Sequence, residues 1–358
     1  MNSASKKAKF PLFRSLLVLI LGLGVWQSWA WWQRATAPIT IGGETTGVST
    51  KPTQFTVSPG TPGQQIGREL AQANLIRSAD AWKLWVWWKQ KQESQGGFKA
   101  GTYLIYPQDS LNNIAEKIWR GEIMQTTFTI PEGWSIREMA NYFESIGYFS
   151  ADDFVAATQN IPYDKYPWLP ASLPHLEGFL YPNTYKITSD RINNPQAIIE
   201  VMLTQFQQDA LPVYQQAQTE FSLIEWVTLA SIVEKESVVA EERNLIAGVF
   251  TSRLKIGMTL GSDPTVEYAL GIRQTADRPL TYAQVDTPSP YNTYLNPGLP
   301  PTPIASPGVA SLKATLNPES SEYLFFVARY DGTHVFSRTL AEHEAATRRI
   351  RRERQQGN

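Results

Sequence analysis

The chain has 358 residues and a formal net charge of −1 at pH 7, with no Cys and only three His. This length suffices for two folded domains, and the missing thiols exclude disulfides and thiolate chemistry. The three His show no metal-ligand spacing, and the near-neutral charge gives no support for nucleic-acid binding. We therefore expect no metal, no other cofactor and no nucleic-acid partner, and any catalysis should use carboxylates, hydroxyls, amides or aromatic rings.

The N-terminal segment has the pattern of a membrane anchor. Residues 1–14 carry four basic side chains and no acid, and residues 15–32 carry no charge and are rich in Leu, Val and Ile. Four Trp cluster at the far end of this run: Trp26, Trp29, Trp31 and Trp32. This pattern predicts an uncleaved transmembrane helix over residues 15–33, with the N-terminus in the cytoplasm and the following chain outside it. A cleaved signal peptide is the alternative, but it usually has a shorter apolar core and a small-residue cleavage site.

A linker and a first α/β module follow the apolar run. Residues 34–52 are rich in Thr, Gly and Pro and contain few large apolar residues, which is typical of a linker. The patterns at 55–60 and 128–133 both predict a strand followed by a turn. This recurrence indicates a small module that is used more than once.

Two helical signals stand out in this part of the chain. Trp82, Trp85 and Trp88 recur at helical spacing, which favours core packing over the alternative of sugar stacking. Ser135 and Glu138 have the spacing of a capping box, so a helix should begin there.

Longer helical patterns fill the second half of the chain. They predict helices over about 195–218, 223–237 and 241–256, with Gly257 as the C-terminal stop of the last one. A Pro-rich loop then follows at about 271–310, and a long loop of this kind suits a polar, hydroxyl-rich ligand. The last part of the chain has the sequence patterns of a β-hairpin followed by a basic helix.

Glu236 is the strongest candidate for a catalytic residue. At 100° per residue, Leu229, Ile232 and Val233 lie on one stripe of a helix, and Glu236 lies in the middle of it, whereas Glu234 lies in another sector. A carboxylate on an apolar face has its pKa raised by desolvation, so it can hold a proton near neutral pH and act as a general acid. The alternative is that Glu236 is solvated at the helix end or paired with a nearby basic residue.

Two further acids occur in unusual settings. Glu177 lies among aromatic residues and turn formers at 176–185, where an ordinary loop with a capping Glu is the alternative interpretation. Asp263 follows Ser262, and either of them can cap a helix that has Pro264 in its first turn. Helix capping alone is a sufficient explanation for Ser262, Asp263 and Pro264.

Several ordered motifs together resemble one family. The chain is similar to the endolytic murein transglycosylases, also called the YceG-like or MltG family, over roughly residues 54–350. The motifs in chain order are FKAGTY, LEGFLYPNTY, ASIVEKE, GVFTSRLKIGM, SDPTVEY, TPSPYNTY, GLPPTPIASPG and LKATLNP.

The resemblance implies an α+β fold with an N-terminal transmembrane helix and two further parts. These are a small LysM-like α/β subdomain over residues 53–150 and a mixed α/β catalytic domain over residues 151–350, with a tail at 351–358. It also implies an extracytoplasmic enzyme that cleaves peptidoglycan glycan strands internally and terminates their elongation. The bilayer and the cell-wall synthases would be its other partners.

The resemblance also implies roles for individual residues. The second acid of the EKE motif, Glu236, would be the catalytic residue. Supporting or substrate-contacting roles fall to Glu177 and Asp263, and structural support of the helix falls to Ser231 and Glu234. Three residues of the Pro-rich loop are the candidates for sugar contacts: Tyr291, Asn292 and Thr293.

Two alternatives to the lytic enzyme remain open. One is a non-catalytic scaffold that binds peptidoglycan, although such a scaffold has no use for a desolvated acid. The other is a glycoside hydrolase that uses Glu236 together with Asp263, because hydrolysis needs a second carboxylate.

Overall fold

The computed structural model describes residues 10–39, 51–93, 95–275, 277–329 and 331–357, with side chains described between residues 18 and 355. The chain divides into two compact units, Met1–Thr126 with Thr188–Asp190 and Thr127–Ile187 with Arg191–Asn358. Both contain helices and short strands, which confirms the predicted mixture of α and β structure.

The first unit combines helices with a two-stranded antiparallel sheet. Its helices are α1 (Phe10–Thr36), α2 (Gly63–Gln72), α3 (Ala79–Gln92) and α4 (Leu111–Arg120), and its strands are β1 (Thr53–Val57) and β2 (Gly101–Ile105). Trp82 and Trp85 are buried in the core, as their spacing predicts, but Trp88 is half-exposed. At about 100° per residue, Trp88 lies roughly 120° around α3 from Trp82, so it leaves the buried face.

Helix α1 covers the run for which the sequence predicts a membrane span. Among the described residues, no helix has both the length and the apolar character that crossing a membrane requires. Near the end of α1, Ala35 is buried in the core of the first unit. Arg77 fixes the next residues because its Nη2 donates to the Pro38 carbonyl at 2.8 Å.

The second unit contains most of the helices. They are α5 (Ile136–Ser145), α6 (Ala151–Gln159), α7 (Pro195–Asp209), α8 (Leu211–Gln215), α9 (Leu223–Glu236), α10 (Arg243–Lys255), α11 (Asp263–Leu270), α12 (Tyr282–Val285), α13 (Val309–Leu316) and α14 (Leu340–Gly357). Strand β3 (Gln125–Thr129) pairs with β4 (Thr184–Thr188), and β5 (Phe325–Ala328) pairs with β6 (His334–Ser337).

The local signals for helix ends account for most boundaries. The capping box at Ser135 and Glu138 is present, and Gly257 has a φ of 69° after the end of α10, as a C-terminal stop requires. The single helix predicted over 195–218 is wrong, because α7 ends at Asp209 and α8 begins at Leu211. Pro212 explains the break, since proline lacks an N–H group and clashes with the preceding helical turn.

Helix α9 lies between two apolar clusters and is buried on all sides. Trp226, Val227 and Ala230 belong to one cluster, and Leu229 and Ile232 belong to the other. The prediction of a single buried stripe is therefore wrong, because every residue from 226 to 233 is buried. A helix that is apolar all round must be enclosed by the protein, and α9 is the central element of the second unit.

Candidate active site

Glu236 is the last residue of α9, where this enclosed helix reaches the surface. The helix begins at a capping box formed by Ser222 and Glu225, and it ends with Ser237 in an extended conformation. Glu236 is half-buried, whereas the preceding turns of the helix are buried. A rigid, enclosed helix thus holds one carboxylate at its open end.

Ser262 holds this carboxylate from a second helix. Its Oγ donates to Oε1 of Glu236 at 2.6 Å. Ser262 occupies the N-cap position of α11, as the sequence predicts, but its side chain makes no capping hydrogen bond. The hydroxyl contacts the acid instead, so α9 and α11 are joined at the point where Glu236 emerges.

Desolvation raises the pKa of Glu236 to about 7. The hydrogen bond from Ser262 lowers this pKa, the charges of Asp263 and Glu267 raise it, and the charge of Arg253 lowers it. A substantial share of Glu236 is therefore protonated near neutral pH, as a general acid requires. The folded protein keeps this proton between about pH 4.5 and 7, where the unfolded chain releases it, so folding stability falls as the pH rises through that window.

A buried hydroxyl network positions Ser262. Its N–H donates to Thr293 Oγ1 at 3.0 Å, and its carbonyl accepts from Thr265 Oγ1 at 2.7 Å. The hydroxyls of Thr265 and Thr293 are themselves 2.9 Å apart. Thr293, predicted to contact sugar, is 2% exposed, and its polar atoms point toward α11.

The neighbouring loop residues differ in their exposure. Asn292 is buried and donates to the carbonyls of Val285 and Thr287 at 2.7 and 2.9 Å, so its amide holds the loop together. Tyr291 is half-buried, and its hydroxyl lies 2.8 Å from Thr302 Oγ1. Of the three predicted sugar contacts, Tyr291 is the one that keeps accessible surface.

Asp263 directly follows Ser262, and both of its carboxylate oxygens accept hydrogen bonds from the protein. Its Oδ1 accepts from the Tyr294 hydroxyl at 2.7 Å, and its Oδ2 accepts from Gln274 Nε2 at 3.1 Å. Its negative charge is one of the factors that raise the pKa of Glu236. Asp263 can therefore promote protonation of Glu236 without touching a substrate.

Glu177 is buried and joins two helices. Its carboxylate accepts from the N–H of Ile136, the first residue of α5, at 3.0 and 3.1 Å, and from the Tyr268 hydroxyl at 3.1 Å. Desolvation raises the pKa of Glu177 to about 8, although both hydrogen bonds lower it. The structure places Glu177 at a cavity lined by α5 and α11.

Ser231 and Glu234 contact the segment before α13. Ser231 Oγ donates to the Thr228 carbonyl at 2.7 Å and accepts from the Ile304 N–H at 3.1 Å. Glu234 Oε2 accepts from the N–H of Gly308 at 3.1 Å. Both side chains tie α9 to this segment.

The sequence interpretation missed the contribution of Arg253. It is buried, its Nε donates to the Leu324 carbonyl at 2.6 Å, and its Nη1 donates to the Leu260 carbonyl. Its charge stabilises the ionised form of Glu236. A signal was available, because Arg253 continues the buried stripe of Ile246, Val249 and Phe250 on α10.

Replacing Ser262 by Ala should shift the pH dependence of catalysis. Loss of the hydroxyl removes the hydrogen bond that lowers the pKa of Glu236, so the alkaline limb of kcat/KM should move up by about one pH unit. The pH profile of kcat/KM measures this, because it reports the free enzyme's acid. Ser150, whose Oγ caps α6, provides the control: Ser150→Ala should lower stability by about 1 kcal/mol and leave the limb in place. An unchanged alkaline limb of kcat/KM in Ser262→Ala would contradict the assignment of Glu236 as the acid that this limb reports.

The described residues contain no group of three or more His, Cys, Asp or Glu that could hold a metal ion.

Comparison with known proteins places these elements in a family. The model of the YceG-like family matches residues 55–349. The chain is 31% identical over 305 residues to the endolytic murein transglycosylase of Bacillus subtilis (strain 168), covering 81% of this chain and 82% of that protein. It is 30% identical over 325 residues to the endolytic murein transglycosylase of Streptococcus pneumoniae serotype 2, covering 80% of this chain and 57% of that protein.

A solved structure gives the same result. The crystal structure of a yceG-like protein from Listeria monocytogenes aligns with a TM-score of 0.53 at 30% identity, covering 83% of this chain and 100% of that one. The family model spans both units of the fold and includes Glu236 and Ser262. The chain belongs to the YceG-like family.

Proposed function

We propose that this protein is an endolytic lytic transglycosylase that cleaves the glycan strands of peptidoglycan. The observation that carries the proposal is Glu236, a half-buried carboxyl with a pKa raised to about 7 and oriented by Ser262 at 2.6 Å. The relatives named endolytic murein transglycosylases support the substrate class.

In the proposed mechanism, Glu236 transfers one proton in each direction. The protonated carboxyl donates to the glycosidic oxygen between N-acetylmuramic acid and N-acetylglucosamine, and the bond from that oxygen to C1 breaks. The C6 hydroxyl of the same muramic acid attacks C1, and the Glu236 carboxylate takes the hydroxyl proton. The nucleophile is intramolecular, so its effective concentration is already very high. The product is a strand with a 1,6-anhydromuramic acid end.

A hydrolase with Asp263 as its second carboxylate is the alternative. Hydrolysis needs a base that activates water or a nucleophile near C1. Both oxygens of Asp263 already accept hydrogen bonds, from Tyr294 and Gln274, which favours a supporting role. Digestion of purified glycan strands, followed by mass spectrometry of the new ends, separates the two reactions. Anhydro ends support the lytic reaction, whereas reducing ends would establish hydrolysis, and intact strands would favour a binding scaffold.

We also propose that the LysM-like subdomain predicted over residues 53–150, most of which lies in the first unit, positions the glycan. A groove of about 720 Å³ within this unit is lined by exposed aromatic side chains, among them Trp87 and Trp88, together with the amides of Asn112 and Asn113. Aromatic faces beside amides suit sugar rings, which present both C–H surfaces and hydroxyls.

Replacing Trp87 and Trp88 together by Ser should weaken retention on insoluble peptidoglycan by about 5- to 150-fold, because each of the two stacked rings contributes about 0.5–1.5 kcal/mol. The identity of the cleaved bond should not change. A sedimentation assay measures retention, and Tyr282→Ser, at an exposed residue of the second unit, is the matched control. Unchanged retention would indicate that the first unit is a spacer or a site for another protein.

Membrane anchoring through residues 15–33 is supported by the basic flank, the uncharged run and the clustered Trp of the sequence. With this anchor, the enzyme would terminate strands close to the cell-wall synthases at the plasma membrane. A reporter fused after residue 40 should be active only outside the cytoplasm. Soluble mature protein that begins near residue 33 would show that the segment is a cleaved signal.

A further inference from the structure

A cavity of about 400 Å³ lies beside the two helix ends that hold Glu236. Lys235, at the end of α9, lines it, and so do Pro264, Glu267 and Tyr268 of α11. Glu236 directly follows Lys235, and Ser262 directly precedes α11. Glu236 and Ser262 do not line the cavity themselves, but residues one or two positions away from each of them do. The size of the cavity is in the range of ligand pockets.

The cationic groups of this cavity are available to a ligand. Arg137 and Arg273 are exposed, line the cavity and form no ion pair with any described residue. The Lys235 ammonium donates to the Gly133 carbonyl at 3.1 Å, a neutral partner. A Cβ at Gly271 would lie 1.8 Å from Nη1 of Arg137. Because glycine has no side chain, the Arg137 guanidinium fits at this point on the rim of the cavity.

The acidic groups of the cavity are engaged by the protein's own donors. Glu138 accepts from the N–H and hydroxyl of Ser135 at 2.8 and 2.9 Å. Glu267 accepts from the Gln274 N–H at 3.1 Å, and Glu177 accepts from α5 and Tyr268. Burial raises the pKa of Glu177 to about 8, so this acid is largely protonated at neutral pH. Three cations, Lys235, Arg137 and Arg273, then line the cavity with two ionised carboxylates, those of Glu138 and Glu267.

We propose that this cavity binds the carboxylates of the peptide stem carried by the muramic acid at the cleaved bond. The inference rests on the proposed function. The sugar rings of the strand are neutral, and the stem hangs from the lactyl group of the ring whose C1 reacts. A stem that enters the cavity would place its carboxylates at Arg137 and Arg273, and guanidinium groups bind carboxylates in a bidentate manner.

The test compares peptide-bearing strands with the same strands after conversion of the stem carboxylates to amides. Arg137→Gln and Arg273→Gln should each raise KM for native strands by about 3- to 10-fold, with kcat little changed. Amidation should raise KM for the unaltered protein to a similar degree and should remove the effect of both substitutions. Arg278→Gln, which removes an exposed cation outside the cavity lining, is the control. Thermal melts of the variants confirm folding.

Equal KM values for native and amidated strands would overturn the stem site and leave the proposed function intact. If neither the native nor the amidated strands are cleaved, the proposed function fails, and a binding measurement then tests the stem site by itself. Glu236→Gln protein would then be titrated with a disaccharide-peptide muropeptide and with its amidated form. Tighter binding of the native form, lost on Arg137→Gln, supports the stem site, and equal binding overturns it.

Discussion

Glu236→Gln should abolish the release of anhydromuramic acid ends while leaving the protein folded. General acid–base help is worth about 10²–10⁴-fold, and one residue performs both proton transfers here, so the loss should lie at the upper end of this range. The amide oxygen can still accept from Ser262, which donates to Glu236 at 2.6 Å. Stability should hardly fall, because the change removes a partly desolvated acid. Mass analysis of released fragments, together with thermal melts, measures both effects.

Glu234→Gln is the internal control for this prediction. Glu234 accepts a hydrogen bond from the Gly308 N–H at 3.1 Å, and a glutamine oxygen can accept the same bond. This variant should therefore stay folded and keep far more activity than Glu236→Gln. If Glu234→Gln is the inactive variant and Glu236→Gln works, the acid has been misassigned. If both variants are active, the acid lies elsewhere, and Glu177 is the next residue to test.

The sequence identified the central helix, but its pattern could not separate the two acids. Helical periodicity places Glu236 on the same stripe as Leu229, Ile232 and Val233, yet α9 is buried on all sides over residues 226–233. What distinguishes Glu236 is its partner Ser262, 26 residues further along the chain. A helical pattern contains no information on such a tertiary contact, whereas the ordered motifs of the family pointed to the residue directly.

The sequence of a polar loop predicts less about its contacts than the periodicity of a helix does. The composition of the Pro-rich loop predicts hydrogen bonding, but it does not indicate whether the partner is a ligand or the protein itself. Asn292 and Thr293 are buried and bond within the chain, while Tyr291 stays partly accessible. In contrast, the stop at Gly257 depends on local backbone chemistry, and the sequence predicts it correctly. The break at Pro212 has an equally local cause, but the prediction of one helix over 195–218 does not include it.

Trp226→Ala should produce the largest loss of stability among simple core substitutions in the second unit. Trp226 is fully buried, its ring lies 5.1 Å from that of Tyr214, and its Nε1 donates to the Leu312 carbonyl at 2.9 Å. Truncation of a buried Trp to Ala costs about 3–5 kcal/mol, because the lost burial and the remaining cavity add. The Leu312 carbonyl still accepts from Thr315 Oγ1 at 3.0 Å, so the lost hydrogen bond contributes little more.

Denaturant titration of the second unit's unfolding transition measures this effect against two matched variants. Trp226→Phe keeps an aromatic ring beside Tyr214 and should lose no more than about half as much stability. Tyr282→Ala, at a residue of the second unit that is 85% exposed, should change stability by less than about 0.5 kcal/mol. Trp226 lies ten residues before Glu236 on α9, or about 15 Å along the helix axis. The folded fraction of Trp226→Ala should therefore remain active, and a loss below about 1 kcal/mol would show that α9 is not the central support of this unit.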